Sequence, residues 1–279
     1  MMKIMGKTID TIGRTKPDRI ILIDYPGFNL RLAKRIQHLK ISITYFILPQ
    51  VWAWKEKRVE TMKVVLDQTL SIFPFEQDWF ESRGLQTNYV GHPFSEQEHL
   101  DESSKDFYQR HEITIEHPLL VLLPGSRQQE VDRHWPIFLQ TVKKLKESNS
   151  LIQVMVGKAP NVSLSPIPNE FKIEENARKA MVAGTVAIVS SGTATLECAV
   201  EDTAMVVCYK LSTLSWWMVN YMTSVKYASM VNLIADENIV PEFLQHNMTE
   251  ENLVKSVIPL LNSKSIERKI MLSGFDKVR

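Results

Sequence analysis

Cysteine is scarce in this chain, with only Cys198 and Cys208 among 279 residues. Both lie in or next to apolar runs, and two cysteines are too few for a disulfide framework or a cysteine-based zinc site. The sequence therefore excludes the disulfide-rich secreted class and predicts a reducing compartment. Long apolar segments are also lacking, since no stretch offers ~18 uninterrupted apolar residues and the first ten residues lack a signal-peptide core. We expect a cytosolic protein that could still contact a membrane surface.

The chain also lacks an excess of charge of either sign, since it carries 33 Lys and Arg against 32 Asp and Glu, a net charge of +1 at pH 7. A nucleic-acid-binding domain usually has a strong basic surplus, so the balance gives no case for a nucleic-acid partner. Hydrophobic residues make up 44% of the chain, which is typical of a globular protein. The length allows two domains of ordinary size.

Several cofactor motifs are absent from the sequence. There is no G-x-G-x-x-G and no Asp-x-Asp, and the seven histidines have no metal-ligand spacing. Gly6-Lys7-Thr8 resembles the end of a P-loop, but the earlier glycine of that motif would fall on Met1. We therefore expect no metal ion and no resident cofactor, so that any leaving-group charge must be met by the protein itself.

Short apolar runs alternate with helical patterns along the whole chain, which predicts parallel β-α-β units. Residues 19–24 and 119–123 are the clearest predicted strands, and residues 29–40 and 128–147 the clearest predicted helices. The polar segment 95–117 is the best boundary between two sheets. The predicted fold class is α/β, with two Rossmann-like parallel-sheet domains over residues 1–97 and 98–255, followed by a helical segment over 256–279.

The fragment VAIVSSGTATLE, residues 186–197, gives the strongest chemical signal. A buried strand runs into small residues, and the helix predicted from Thr193 would turn free N–H groups toward a phosphate. Gly192 would let the ligand approach the backbone. Ser191, Thr193 and Thr195 would supply hydroxyl donors. The Glu197 carboxylate could accept hydrogen bonds from the two hydroxyls of a ribose. An ordinary helix capped by serine or threonine explains the fragment equally well.

The fragment LLVLLPGSRQQE, residues 119–130, repeats this arrangement. Gly125 permits a tight turn, and Ser126 and Gln129 stand at capping-box spacing. Arg127 would lie where ligands bind in open parallel sheets, and its guanidinium could hold a diphosphate with two parallel hydrogen bonds. The alternative is an arginine on the surface of the helix's first turn.

Asp24 ends a predicted strand in the fragment IDYPGFN, residues 23–29. A carboxylate at the carboxyl end of a parallel strand is a candidate general base for a substrate hydroxyl. The alternative is an aspartate that only caps the loop before Pro26. On this fragment alone the sequence does not choose between them.

Together these fragments resemble the lipid-A-disaccharide synthase family, glycosyltransferases with two Rossmann-like domains (GT-B). The matching segments follow the family's order and are IDYPGFNLRLAKR (23–35), PQVWAWKEKRV (49–59), FPFE (73–76), GHP (91–93), LLPGSRQQEV (122–131), SSGTATLE (190–197) and VNLIADENIVPEFLQ (231–245). The resemblance implies an inverting transfer of diacylglucosamine from UDP to diacylglucosamine 1-phosphate, giving lipid A disaccharide 1-phosphate and UDP. It also implies that residues 256–279 pack back toward the first domain.

The resemblance assigns roles to residues by their position. Asp24 would be the catalytic base. The residues that would hold the UDP-sugar are Gly125, Ser126, Arg127, Ser191, Gly192, Thr193, Ala194, Thr195, Glu197 and Asn232. The residues on the acceptor side would be Asn29, Gln50, Trp52 and His92. The tryptophan beside the strand could instead belong to the core, and His92 could serve only the GHP turn.

The chain departs from the family pattern at several positions. The family's first strand and its Gly-Glu-Ala-Ser-Gly-Asp turn are not found, so we expect an incomplete first domain, and the last family helix is expected to be cut short. Gly27 stands where many members have aspartate, and Val231 stands where proline is usual. A catalytically impaired UDP-binding remnant is therefore one alternative, and another UDP-sugar enzyme of the same architecture, such as an epimerase, is a second.

Residues 211–230 combine aromatic and basic residues in the way an interfacial helix does. Trp216, Trp217 and Met218 are the expected membrane contacts, which would place the protein peripherally on the cytoplasmic face of the inner membrane. A core helix with one wet face is the alternative. The sequence leaves a homodimer open as an assembly.

Overall fold

The computed structural model describes residues 2–96, 102–212, 216 and 226–279. The described residues form two compact units, the first ending at Pro93 and the second beginning at Phe94. The predicted boundary between residues 97 and 98 lies outside the described residues.

The first unit is built on a parallel sheet with the strand order β1-β2-β3-β4. Its strands are β1 (Arg19–Ile23), β2 (Ser42–Phe46), β3 (Gln68–Ser71) and β4 (Asn88–Tyr89). Its helices are α1 (Met2–Thr15), α2 (Pro26–Ile36), α3 (Val51–Trp54), α4 (Arg58–Val65) and α5 (Pro74–Glu81). Tyr45, Met62 and Phe80 are among its fully buried side chains. At the edge of the sheet, β1 buries Leu22 and exposes its two neighbours.

The second unit has a six-stranded parallel sheet with the order β10-β9-β8-β5-β6-β7. The strands are β5 (Leu119–Leu123), β6 (Gln153–Gly157), β7 (Lys172–Glu174), β8 (Val186–Ser190), β9 (Ala204–Tyr209) and β10 (Glu242–Leu244). The helices are α6 (Ser104–Arg110), α7 (Gln128–Ser148), α8 (Ala177–Ala183), α9 (Ala194–Val200), α10 (Met230–Ala235), α11 (Glu250–Leu261) and α12 (Ile266–Phe275). Every residue of β5 and β8 is buried. Continuous apolar runs such as these are typical of parallel strands covered on both faces.

Both sheets confirm the predicted α/β class, and several elements agree with the sequence patterns. The helix expected over residues 29–40 begins three residues earlier, at Pro26, because proline suits the first helical turn, where its missing N–H is not needed. Helix α8 begins at Ala177, shortly after β7 ends at Glu174.

The last two helices belong to the second unit. Helix α11 packs against α7 and β9, and α12 packs against α9 and β9. The predicted boundary at residue 256 falls inside α11. Within the described residues, no helix is long and apolar enough to cross a membrane.

Candidate functional site

A pocket of about 420 Å³ lies in the second unit where β5 and β8 end. These strands are direct parallel neighbours, so their carboxyl ends meet at one edge, and two fragments more than 60 residues apart come together. Of the residues predicted to hold a UDP-sugar, the lining includes Gly125, Ser126, Arg127, Ser191, Gly192, Thr193, Ala194 and Glu197. It also includes Glu130, Glu175, Ser190 and Met230, for which the sequence analysis predicted no role.

The turn after β5 requires glycine. Gly125 has a φ of +123°, and a Cβ there would lie 2.9 Å from Oε2 of Glu130. The predicted capping box between Ser126 and Gln129 is wrong, because helix α7 starts one residue later than that motif needs. Arg127 is the N-cap, and its side chain makes no capping hydrogen bond.

Glu130 anchors the Arg127 side chain at the mouth of the pocket. Arg127 Nη1 donates to Glu130 Oε1 at 2.8 Å, and the Tyr209 hydroxyl donates to the same oxygen at 3.1 Å. The Arg127 side chain is 77% exposed, whereas Glu130 is 10% exposed. The carboxylate raises the pKa of Arg127 through this hydrogen bond. The ion pair of Arg127 with Glu130 could have been expected from the sequence, because residues three apart at the start of a helix lie side by side.

In the turn after β8, two of the predicted hydroxyl donors are used within the protein. The Ser191 hydroxyl donates to the Ala228 carbonyl at 2.6 Å, and the Thr195 hydroxyl donates to the Gly192 carbonyl at 2.8 Å. Thr195 is fully buried and does not line the pocket. Thr193 is exposed and lines it. The structure therefore brings one of the three predicted hydroxyls to the pocket free of these internal bonds.

The backbone amides of this turn belong to residues that line the pocket. The Ser191 N–H donates to the Cys208 carbonyl at 2.9 Å. In the described part of the chain, the N–H groups of Gly192, Thr193 and Ala194 have no backbone acceptor. A Cβ on Gly192 would meet no atom within 4 Å, so packing does not close this approach. Free amides at a strand-to-helix turn are suited to an anion.

Ser190, at the end of β8, is a site residue that the sequence analysis missed. It is buried, lines the pocket, and its hydroxyl has no hydrogen-bond partner among the described residues. A buried hydroxyl without a partner costs free energy that a ligand oxygen could recover. The sequence could have indicated this role, because neighbouring side chains of a strand point to opposite faces, so Ser190 and Ser191 cannot both have the same surroundings.

Glu197 lies one turn into α9 and is partly buried beside the pocket. Burial raises the pKa of Glu197, and the Arg178 charge acts in the opposite direction. The helix that carries it has only seven residues, so the local N–H groups matter more than a long macrodipole.

Asn232 does not line the pocket. Its Nδ2 donates to the Val240 carbonyl at 2.8 Å and to Glu242 Oε1 at 2.7 Å, while its Oδ1 accepts from the N–H groups of Ile239 and Val240. The side chain is fully buried. The structure thus gives Asn232 the role of fixing the loop between α10 and β10, in place of the predicted ligand contact.

In the first unit, Asp24 follows β1 and its side chain is exposed. Asp24 and Tyr25 both have left-handed backbone angles, with φ of 46° and 44°. Asn29 Nδ2 donates to the Asp24 carbonyl at 2.6 Å, and the Tyr45 hydroxyl donates to the same oxygen at 2.6 Å. Strained angles of this kind persist where the surroundings enforce them, often at functional sites. Asn29, predicted to face the acceptor, therefore holds the turn that presents Asp24.

Of the other predicted acceptor-side residues, two follow β2 and one follows β4. Gln50 is exposed and is the N-cap of α3. Trp52 Nε1 donates to Glu76 Oε1 at 3.0 Å. The His92 ring lies 5.9 Å from that of Phe73, and burial lowers the pKa of His92.

Glu76 is an acidic residue to which the sequence analysis gave no role. It is fully buried, and burial raises its pKa to about 7. The FPFE motif could have indicated its position, because a glutamate three residues after the residue that precedes a helix commonly accepts a hydrogen bond from the backbone N–H of that preceding residue.

Of the predicted membrane contacts, Trp217 and Met218 lie outside the described residues. Trp216 is described by itself, and its N–H donates to the Ser212 carbonyl at 2.8 Å. Among the described side chains, no group of three or more His, Cys, Asp or Glu could hold a metal ion.

Comparison with known proteins places the chain in a family. Residues 1–277 match the family of lipid-A-disaccharide synthetase. The chain is 34% identical to the lipid-A-disaccharide synthase of Myxococcus xanthus, covering all of this chain and 75% of the relative. It is 36% identical to lipid-A-disaccharide synthase 1 of Legionella pneumophila (strain Paris), covering all of this chain and 76% of the relative.

Solved structures share the fold at low sequence identity. A putative UDP-N-acetylglucosamine 2-epimerase from Listeria monocytogenes has a TM-score of 0.65 at 10% identity, covering 99% of this chain and 77% of that protein. The ADP-heptose LPS heptosyltransferase II of E. coli has a TM-score of 0.51 at 11% identity, covering 92% and 80%. These likenesses concern the fold alone. By its sequence, the chain belongs to the lipid-A-disaccharide synthase family and is a glycosyltransferase of lipid A disaccharide synthesis.

Proposed function

We propose that this glycosyltransferase moves diacylglucosamine from UDP-2,3-diacylglucosamine to 2,3-diacylglucosamine 1-phosphate with inversion at the anomeric carbon. The products are lipid A disaccharide 1-phosphate and UDP. The observation that carries the proposal is the pocket in which the Gly125–Arg127 turn and the Ser190–Ala194 turn meet, in a chain of this family.

The donor diphosphate is assigned to this pocket because its polar groups are suited to an anion. The free amides of Gly192, Thr193 and Ala194 would donate to phosphate oxygens, and the Ser190 hydroxyl would find its missing partner there. Arg127 offers N–H groups beyond the one bonded to Glu130. Glu197 would accept from ribose hydroxyls. In this scheme protein donors meet the leaving-group charge without a metal ion.

Asp24 is proposed as the general base. Its carboxylate would take the proton of the acceptor hydroxyl as that oxygen attacks the anomeric carbon of the donor sugar. The bond between the anomeric carbon and the phosphate oxygen then breaks, and its electron pair leaves with UDP. The two hydrogen bonds to the Asp24 carbonyl support this role, because they fix the backbone without occupying the carboxylate.

The acyl chains of both substrates motivate a further part of the proposal, contact with the membrane. We infer peripheral contact with the cytoplasmic face of the inner membrane through Trp216, Trp217 and Met218. A homodimer is the assembly we propose to test by native mass spectrometry, where a single-chain mass at micromolar concentration would exclude it.

The test of the function is UDP release, measured with and without diacylglucosamine 1-phosphate. We expect release that depends on the acceptor, and an Asp24→Asn variant slower by roughly 10²–10⁴-fold with nearly unchanged UDP affinity. Acceptor-independent UDP release would favour a hydrolysing epimerase. UDP binding without turnover would favour the remnant, and full activity of Asp24→Asn would remove the base assignment.

A further inference from the structure

A second pocket, of about 200 Å³, lies on the first unit between α2 and α4. We call it the basic pocket after three basic residues in its lining, Arg31, Lys34 and Arg58; Pro26, Gly27, Leu30 and Thr61 complete the lining. Its volume is several times the ~30 Å³ that a water molecule occupies in the liquid, so a phosphate group has room there. Three basic residues and a threonine therefore border this small space.

The three cations have no carboxylate partner in the described part of the chain. The nearest acidic residues on the neighbouring segment and on α4 pair elsewhere, Glu56 with Arg83 at 2.6 Å and Glu60 with Lys63 at 2.7 Å. Helix α2 has no acidic residue in its first turn and no side-chain cap. Gathering like charges without a counter-charge is unfavourable, and a bound anion would relieve the repulsion.

The basic pocket lies on the side of the sheet that carries Asp24. Pro26 and Arg58 are the first residues of α2 and α4, and in parallel β-α-β units helices begin at the carboxyl edge of the strands. Pro26 and Gly27 follow Asp24 by two and three residues. The charges of Asp24 and Arg58 both act on the pKa of Tyr45, whose hydroxyl bonds the Asp24 carbonyl. Arg58 lines the same pocket as Pro26, which follows Asp24 by two residues.

We propose that the basic pocket binds the phosphate monoester of the acceptor sugar and so holds its hydroxyl at Asp24. This inference rests on the proposed function, because the acceptor named there carries a 1-phosphate. A phosphate monoester bears a charge of about −1.5 to −2 at pH 7, which three cations can neutralise. Arginine also matches phosphate oxygens with two parallel N–H groups.

The experiment compares two acceptors, diacylglucosamine with and without its 1-phosphate, on the full chain. The variant is Arg31→Ala combined with Lys34→Ala, since both residues are exposed on a helix in which alanine is well tolerated. Arg35→Ala is the matched control, because it removes an exposed cation of the same helix that does not line the pocket. The readout is the ratio of kcat/KM values for the two acceptors.

We expect the preference for the phosphorylated acceptor to fall roughly 10–100-fold in the double variant, as for lost hydrogen bonds to a charged group, and to persist in Arg35→Ala. Titration with water-soluble glucosamine 1-phosphate should show binding that the double variant loses while its UDP affinity is kept. An unchanged preference in the double variant would overturn the inference.

Anionic lipid headgroups offer the same phosphate chemistry, so a third arm uses phosphatidylglycerol vesicles. Loss of vesicle binding in the double variant together with an unchanged acceptor preference would assign the cations to the membrane and reject the inference. If the native chain transfers to neither acceptor but binds glucosamine 1-phosphate through Arg31 and Lys34, the proposed function fails and the phosphate site stands.

Discussion

At the scale of single residues, Arg127 combines exposure with an anchored position. Glu130 holds one end of the guanidinium at 2.8 Å, and the Tyr209 hydroxyl in turn bonds that carboxylate. Replacing Arg127 with alanine should weaken UDP binding and turnover together by roughly 10–100-fold, because a hydrogen bond to a charged group contributes about 1.5–3 kcal/mol. Equilibrium titration with UDP and steady-state kinetics would measure both effects.

Arg133→Ala is the matched control for that variant. Arg133 is a partly buried arginine on the same helix, donates to the Gln129 carbonyl at 2.7 Å and does not line the pocket. Its removal should leave UDP affinity unchanged. Equal losses in the two variants would mean that Arg127 acts only through the net charge of the helix.

At the scale of elements, the connection from β3 to α5 depends on a buried acid. Glu76 is the third residue of α5, and its carboxylate accepts from the Phe73 N–H at 3.4 Å and from Trp52 Nε1 at 3.0 Å. Burial raises the pKa of Glu76 from 4.5 to about 7. The folded state therefore binds a proton more tightly than the unfolded state does.

This difference predicts a pH dependence of stability. Below about pH 4.5 the Glu76 carboxyl is protonated in both states, and its contribution to the free energy of unfolding is at its largest. As the pH rises from about 4.5 to about 7, the free energy of unfolding falls by up to about 3 kcal/mol, because only the unfolded state ionises readily in this range. Glu76→Gln keeps an acceptor for Trp52 but cannot ionise. Urea unfolding at pH 5 and pH 8 should therefore show the wild-type free energy of unfolding falling relative to that of Glu76→Gln.

Glu81→Gln, an exposed change in the same helix, provides the comparison for that experiment. It should follow the wild-type pH dependence. If Glu76→Gln also ran parallel to the wild type between pH 5 and pH 8, the carboxyl would already be ionised in the folded protein.

Some helices, strands and turns could be predicted from the sequence, and others could not. Strands such as Leu119–Leu123 and Ala204–Tyr209 were predictable, since continuous apolar runs bounded by turn residues have few other structures available. Both pocket turns were predictable from glycine after a strand. The predicted start of α7 at residue 128 is confirmed, whereas the capping box at Ser126 was wrong, because such a motif shows that a helix begins nearby and does not fix which residue begins it.

Residue roles were harder to predict because they depend on partners that the pattern does not show. Asn232 reads as a polar site residue, yet its amide is used up by Val240, Glu242 and Ile239 on the loop that follows. Ser190 reads as the end of a strand, yet its buried hydroxyl has no hydrogen-bond partner among the described residues. Which of two neighbouring serines is free was decided by the Ala228 carbonyl, 37 residues from Ser191.

At the scale of the whole molecule, a net charge of +1 conceals an uneven distribution. The basic pocket gathers three cations without carboxylate partners among the described residues, whereas the pocket of the second unit pairs Arg127 with Glu130. Balanced totals therefore say little about local anion sites. The charge balance gave no case for a nucleic-acid partner, and it also gave no sign of a phosphate site in the first unit.

The proposed membrane contact also concerns the whole molecule. Within the described residues no helix is long and apolar enough to cross a bilayer. Replacing Trp216 and Trp217 together with serine should lower binding to phospholipid vesicles by roughly tenfold or more, because each tryptophan would otherwise bury a large apolar surface at the interface. Ile266 and Ile270 are exposed at 69% and 66% on α12, and their joint replacement with serine removes similar apolar surface from a place with no predicted membrane role. Vesicle sedimentation should separate the two variants, and UDP affinity should be equal in both. Undiminished sedimentation of the tryptophan variant would assign residues 211–230 to the protein interior, and the acyl substrates would then have to be drawn from the membrane by another surface.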